Sequence, residues 1–163
     1  MSQCPKIVFR EYRPGDFGFV FGLKNEAAVR ANSRRTTPYT EDEFKEKLTE
    51  WLSAKLYRIA EIDGTSIGQM LMVLRADGNY GIPYTLAPEH RGRGIGTVMV
   101  RQFIEEFNID TKQLTLSIKE GNEPSEYLAR RLGFKQYPNR GKVLEIGQPP
   151  IHEWFYAHSS DSV

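Results

Sequence analysis

Residues suited to metal and redox chemistry are scarce in this chain. It has one cysteine, Cys4, and three histidines in 163 residues. A lone cysteine closes no intrachain disulfide and fits a reducing compartment. The histidines and the cysteine lie too far apart to form a metal-ligand spacing, so no metal is expected. An excess of one charge is missing too. Lys and Arg number 22 against 21 Asp and Glu, a net charge of +1, which gives no global electrostatic case for nucleic acid or a membrane surface. No apolar run reaches transmembrane length, and no apolar stretch follows a basic start as in a secretory leader. The expectation is a cytoplasmic protein that takes neither nucleic acid nor membrane as a partner. With 39% hydrophobic and 26% charged residues, the composition is that of an ordinary globular protein. The length suits one domain over residues 1–163, with a disordered tail expected at 159–163.

What is present is a regular alternation of strand and helix signals. Lys6 to Tyr12 alternates as a strand, and Arg13–Pro14–Gly15–Asp16 is a turn that leads into a short helix to Asn25. Residues 27–39 read as polar and irregular. Thr40 and Glu43 form a capping box for a helix to about Ser53, with Phe44, Leu48, Trp51 and Leu52 on one face. Leu56–Ile62 and Ser66–Leu74 read as strands joined by an Asp63–Gly64 hairpin turn. Further strands are expected at Ile82–Leu86, Leu114–Ile118, Lys142–Ile146 and Ile151–Ala157. Helices are expected at Val98–Phe107 and Glu123–Leu132, the second capped by Asn122 and ended by Gly133.

The most informative stretch is the glycine-rich turn between the Ile82–Leu86 strand and the Val98 helix. Strand, glycine turn and helix N-terminus together make an anion cradle, because the main chain comes close and unpaired N–H groups point outward. A Walker loop needs Gly-Lys followed by Ser or Thr, which this turn lacks. A dinucleotide fingerprint needs G-x-G-x-x-G, and Thr97 stands where the third glycine belongs. Arg91–Gly92–Arg93–Gly94–Ile95–Gly96 instead fits [RQ]-x-x-G-x-[GA] in full.

In that motif, and in Asn122, Ser125, Leu128, Ala129, Gly133 and Phe134 further on, the chain resembles the GNAT superfamily of N-acetyltransferases. The order of elements is similar to that family nearly end to end. The resemblance implies an α/β (α+β) GNAT fold, a mixed central sheet of about seven strands with helices on both faces. In it the Ile82–Leu86 strand splays from the Leu114–Ile118 strand. It implies acetyl-CoA as acetyl donor. Its pantetheine would lie on the backbone of Tyr84, Thr85 and Leu86, and its pyrophosphate on Arg91, Gly92, Arg93, Gly94, Ile95, Gly96 and Thr97, with Asn122 also touching it. A small primary amine would receive the acetyl group directly.

The chain departs from the family at the proton-transfer positions. The usual acidic Tyr, seven residues after Asn122, is Ala129, and the alternative Glu, five residues before it, is Ser117. Tyr127 lies roughly 200° away around the helix. Tyr84, Ser117 and His152 are the replacement candidates, with Glu153 beside them. These departures leave a non-catalytic acyl-CoA-binding module open as an alternative. Asn25, Val29, Arg30 and Ser33, followed by a helix with Trp51, resemble members that acetylate amino groups on nucleotide-linked sugars. That implies Asn25 and Arg30 as substrate contacts, against the plainer reading that they organise their own loop. Peptide N-termini, lysines, polyamines and other small amines also remain open, and edge strands leave room for a homodimer.

Overall fold

Residues alternating in polarity build the sheet, and two helix pairs cover its faces. The computed structural model describes residues 3–142 and 147–156. Its strands are β1 (Val8–Arg10), β2 (Leu56–Ile62), β3 (Thr65–Leu74), β4 (Tyr80–Gly81), β5 (Tyr84–Leu86), β6 (Leu114–Lys119), β7 (Phe134–Lys142) and β8 (Ile151–Tyr156). Its α-helices are α1 (Phe17–Asn25), α2 (Ala27–Ala31), α3 (Glu41–Leu52), α4 (Ile95–Glu106) and α5 (Glu123–Arg131). The sheet order is β1-β2-β3-β4-β6-β8-β7, with β5 paired to β3 off that path. The pairings are antiparallel except β4 with β6.

Local chemistry accounts for the joints. Asp63 and Gly64 both have positive φ, 49° and 78°, the primed-turn geometry whose twist matches the strands it joins. At the start of α3, the Glu43 N–H donates to Thr40 Oγ1 at 3.2 Å and the Thr40 N–H donates to Glu43 Oε2 at 2.9 Å. This capping box satisfies two helix-end donors and contributes about 1 kcal/mol. One core packs α4 and α5, through Met99, Val100, Phe103, Leu128 and Ala129, onto Met70, Leu116 and Trp154. The other packs α1 and α3, through Val20, Phe44, Leu48 and Trp51, onto Tyr57, Ile59 and Leu71.

Several boundaries differ from the sequence reading. Residues 27–31 are helical rather than irregular, because Arg30 N–H finds Glu26 O at 2.9 Å and closes a turn. A strand begins at Phe134, well before the expected Lys142, since Phe134–Gln136 pair Tyr156–Trp154 across β8. The rest of the expected Lys142–Ile146 strand, Ala157 and the 159–163 tail lie outside the described residues. Of the expected Ile82–Leu86 strand only Tyr84–Leu86 pairs, as β5, and Ile82–Pro83 separate it from β4 just before.

That break positions the site. β4 holds β6 in parallel through Tyr80–Leu114 and Gly81–Thr115. Beyond it, Pro83 has no N–H to give, but its carbonyl accepts from the Leu71 N–H at 2.9 Å. β5 therefore stays on β3 through Gly68–Leu86, Gln69–Thr85 and Met70–Tyr84, and parts from β6. The result is a V-shaped gap between β5 and β6.

Candidate active site

The gap exposes one backbone edge of β5. Ala87 N–H donates to Ile67 O at 2.7 Å, and Leu71 N–H to Pro83 O at 2.9 Å. Peptide groups alternate sides along an antiparallel strand. Thr85 therefore spends its N–H and C=O on Gln69, while those of Tyr84 and Leu86 face the gap. The Leu86 carbonyl is already taken, accepting from Arg91 Nε at 3.0 Å and Nη2 at 2.7 Å. The edge left for an extended guest is Tyr84 N–H and C=O and Leu86 N–H. Thr85 can contribute its side chain rather than its backbone.

The cradle stands at the end of this strand. Gly92 and Gly94 both have φ of +77°, and a Cβ at either would meet nothing within 4 Å. Only glycine takes this left-handed turn without strain. Val98 N–H donates to Gly94 O at 3.2 Å, the first bond of α4. The N–H groups of Ile95, Gly96 and Thr97 precede it and lack helical acceptors. Gly96 serves packing instead. A Cβ there would sit 3.4 Å from Leu128 Cδ1 and 3.8 Å from Leu86 Cδ2, so the glycine lets α4 close onto β5 and α5. Open space over a left-handed turn, three outward N–H donors and the positive end of a helix dipole fit a pyrophosphate.

The arginines of the motif are less available than the sequence implies. Arg91 makes two bonds to Glu26, at 2.7 and 2.5 Å, and its N–H donates to Pro88 O at 3.2 Å. Both its backbone and its side chain are spent inside the fold, so Arg91 shapes the cradle rather than offering it charge. Arg93 is exposed and donates to Glu89 O at 2.8 Å. The Asn122 side chain accepts from the Ser125 N–H at 3.5 Å as the cap of α5 and also lines the gap.

A cavity of about 760 Å³ runs from Arg91 and Asn122 along β5 to α1 and α3, and Gly92–Thr97 of the cradle are not in its lining. It contains Tyr84 and Ser117 of the three proton-transfer candidates. The Tyr84 hydroxyl donates to Ser125 Oγ at 2.9 Å, and burial pushes it above the ordinary phenol range, with the Ser125 bond opposing. Ser125 lies one helical turn before Ala129, which is fully buried, so the phenol enters from the strand at a point that helix leaves without one. Ser117 Oγ accepts from Arg75 Nη1 at 3.0 Å, and the same guanidinium donates to Thr115 Oγ1 at 2.9 Å and pairs with Glu153. Tyr127 is 61% exposed, away from the cavity.

Three expected residues fall elsewhere. His152 is opposite Ile118 on β8, beside Glu120 at 3.6 Å, and does not line the cavity. The Asn25 side chain is consumed by the Tyr39 backbone, donating to its carbonyl at 3.0 Å and accepting from its N–H at 2.8 Å. Arg30 donates to Asn25 O at 3.0 Å and Thr36 O at 2.8 Å. Asn25 and Arg30 thus organise the α1–α3 connection. Their cavity neighbours are Val29, Asn32, Ser33 and Arg34. The sequence reading missed Lys24, Lys47 and Arg75, which also line it. A signal existed: Lys24 follows Val20 by four residues and Lys47 follows Phe44 by three, so both sit on stripes that are otherwise buried.

Residues 6–135 match the acetyltransferase (GNAT) domain family, and the chain belongs to it. No curated protein sequence matches. Among solved structures, a spermidine N-acetyltransferase from Vibrio cholerae, in complex with CoA and spermine, aligns with TM-score 0.74 at 18% identity over 91% of this chain and 94% of its own. A ribosomal-protein-alanine N-acetyltransferase from Brucella melitensis aligns with TM-score 0.71 at 18% identity, over 90% and 97%. A GNAT-family acetyltransferase from Bacillus anthracis aligns with TM-score 0.71 at 13% identity, over 93% and 95%. The protein is an acetyltransferase that uses acetyl-CoA. Among the described residues, no helix is long and apolar enough to cross a membrane, and no group of His, Cys, Asp and Glu could hold a metal ion.

Proposed function

We propose that this protein moves the acetyl group of acetyl-CoA directly to the primary amine of a small acceptor. The observation that carries the reading is one cavity that joins the β5 edge to the Tyr84–Ser125 pair and includes Arg91, the residue before the cradle glycines. Acetyl-CoA supplies the thioester that a neutral amine attacks. The chain supplies the rest. Tyr84 and Leu86 hold an extended guest along their free edge. Gly92, Gly94 and the N–H groups of Ile95, Gly96 and Thr97 hold the pyrophosphate, and Asn122 stands beside them.

Proton movement follows from which lining groups have protons to give. Tyr84 is the one phenol in the lining, held protonated by burial. It serves as the acid for the leaving thiolate, directly or through the Ser125 hydroxyl. No lining residue is Asp, Glu or His, so the amine proton leaves through water, and Ser117 beneath Arg75 orients that water. No covalent enzyme intermediate is needed, which leaves Cys4 without a catalytic role. Arg34 near the cavity mouth suits a nucleotide-linked amino sugar among other small amines.

The test is thiol release from acetyl-CoA, followed with a disulfide dye against aminodeoxy nucleotide sugars, amino acids, polyamines and short peptides. Amine-dependent release supports the reading and names the acceptor group. Tight acetyl-CoA binding with no release from any amine favours the acyl-CoA-binding alternative.

A further inference from the structure

The acceptor end of the cavity is lined by charge of one sign. Lys24 of α1, Lys47 of α3, and Arg34 and Arg75 of the connecting segments all line it, with no Asp or Glu in the lining. Arg75 is neutralised by Glu153. Lys47 reaches Glu50, an exposed residue one turn on, at 2.9 Å. Lys24 and Arg34 have no carboxylate in ion-pair range among the described residues. Lys24 and Lys47 line the cavity from different helices. Burial, then the nearby Lys47 charge, pulls the Lys24 ammonium below its usual range.

Lys24, on an inward stripe beside the charge of Lys47 and with no carboxylate in range among the described residues, is a poor arrangement for folding alone. At Val20, Leu23, Phe44, Leu48 and Trp51 the stripes of α1 and α3 carry buried apolar side chains. Lysine is rarely buried without a partner because its charge loses hydration. An oxyanion bound at Lys24 would offset both its desolvation and the repulsion from Lys47. The cradle proposed for the pyrophosphate is on α4 and outside the cavity lining, so it does not account for these lysines of α1 and α3.

We infer that Lys24, Lys47 and Arg34 form an oxyanion subsite, and that the acceptor is an amine carrying a carboxylate or phosphate rather than a polycation. This rests on the acetyl-transfer reading. It separates this chain from its spermine-bound structural neighbour, because a polyamine would have to enter a cavity lined by positive charge.

The experiment compares acceptors of matched length on the full chain: β-alanine, 2-aminoethyl phosphate, 1,3-diaminopropane and propylamine, then longer members of each series. The expected result is a kcat/KM at least about tenfold higher for the anionic amines than for the diamine of equal length. The carboxylate and phosphate arms show which oxyanion the site takes. Lys24→Gln and Lys47→Gln are expected to raise KM for the anionic amine about tenfold each, while KM for acetyl-CoA and for propylamine stays within about twofold. Lys24→Arg is expected to restore most of the preference. The melting temperature of Lys24→Gln is expected to hold or rise, because neutralising Lys24 removes its desolvation cost and its repulsion with Lys47. A structural lysine would lower it.

Preference for the diamine overturns the inference. So does an unchanged preference in the folded double variant, or a loss confined to acetyl-CoA affinity, which would assign the lysines to the donor's own phosphates. If no amine releases thiol, the transfer reading fails separately. The subsite is then read by titrating CoA-loaded protein with 2-aminoethyl phosphate and β-alanine. Binding lost in the two Gln variants supports it, and absence of binding overturns it.

Discussion

At the scale of single residues, Tyr84 and Asp16 make opposite use of burial. Tyr84 is kept protonated, so its removal should strike the chemical step. Tyr84→Phe is expected to lower kcat about a hundredfold, with KM for acetyl-CoA within about threefold, since the strand backbone proposed to hold the donor is unchanged. Because burial raises its pKa, the phenol keeps its proton through the ordinary Tyr value of about 10. The pH profile of kcat should therefore show no alkaline fall between about 7 and 10 that belongs to Tyr84. A limb in that window that disappears in Tyr84→Phe, or unchanged turnover in the variant, would remove Tyr84 from the mechanism. Asp16 is kept ionised. It accepts from Arg10 Nη1 and Nη2 at 2.8 and 2.7 Å and from the Arg13 N–H at 2.8 Å. The Arg10 bonds hold its carboxyl below the usual range against its own desolvation. A depressed folded pKa means that the stabilisation is complete above the unfolded value of about 3.9 and is lost as pH falls through the lower folded value. Asp16→Asn is expected to cost about 1–3 kcal/mol at pH 7. That difference should shrink below about pH 4, read by urea unfolding. A cost that does not change with pH would mean the carboxylate charge is not what stabilises the β1–α1 corner.

At the scale of elements, the sequence was most legible where one local rule decides. The capping box of α3, the Asp63–Gly64 turn and the cradle glycines each rest on one or two residues, and each is found where expected. The split between β4 and β5 was hidden because Ile82–Pro83 belongs to one apolar run, and only pairing with two different partners separates the halves. Lys24 and Lys47 were hidden because a cation on a helix reads as solvent-facing until the opposing wall is known. Asn25 and Arg30 read two ways in sequence for the converse reason: the backbone carbonyls of their own loop that take their donors leave no mark there. Gly68 is an element-scale position that composition alone does not flag. A Cβ there would stand 2.3 Å from the Thr85 carbonyl oxygen, so β3 and β5 lie this close only because residue 68 is glycine. Gly68→Ala is expected to push β5 into the gap at a cost of about 1–3 kcal/mol, and to raise KM for acetyl-CoA more than it lowers kcat. Unchanged acetyl-CoA affinity in the folded variant would show that the edge of β5 is not the donor's support.

At the scale of the whole molecule, the wall proposed for the donor and the wall proposed for the acceptor are separate layers that side chains must tie together. Lys119, buried in β6, donates to Ala31 O at 2.9 Å, Ser33 O at 3.3 Å and Gln148 Oε1 at 2.9 Å, fixing the end of α2 to the far side of the gap. Arg91 is the second tie. Its two bonds to Glu26 grip the junction of α1 and α2, and its bonds to Leu86 O grip the end of β5. One guanidinium thus joins the cradle, the strand edge and the helices that bear Lys24 and Arg30. Gly94 touches only the cradle. The two positions should therefore fail differently. Gly94→Asp, which puts a strained residue and a like charge at the pyrophosphate, is expected to raise KM for acetyl-CoA at least about a hundredfold and leave the acceptor KM nearly unchanged. Arg91→Ala is expected to raise both KM values by about three- to tenfold, because both walls lose one anchor. Arg91→Lys should not rescue, since an ammonium cannot make the forked contact with Glu26 while reaching Leu86. Steady-state kinetics with both substrates varied read the difference directly. If Arg91→Ala affected acetyl-CoA alone, Arg91 would be a phosphate ligand like its neighbours in the motif, and the two walls would be held in place by their cores without it.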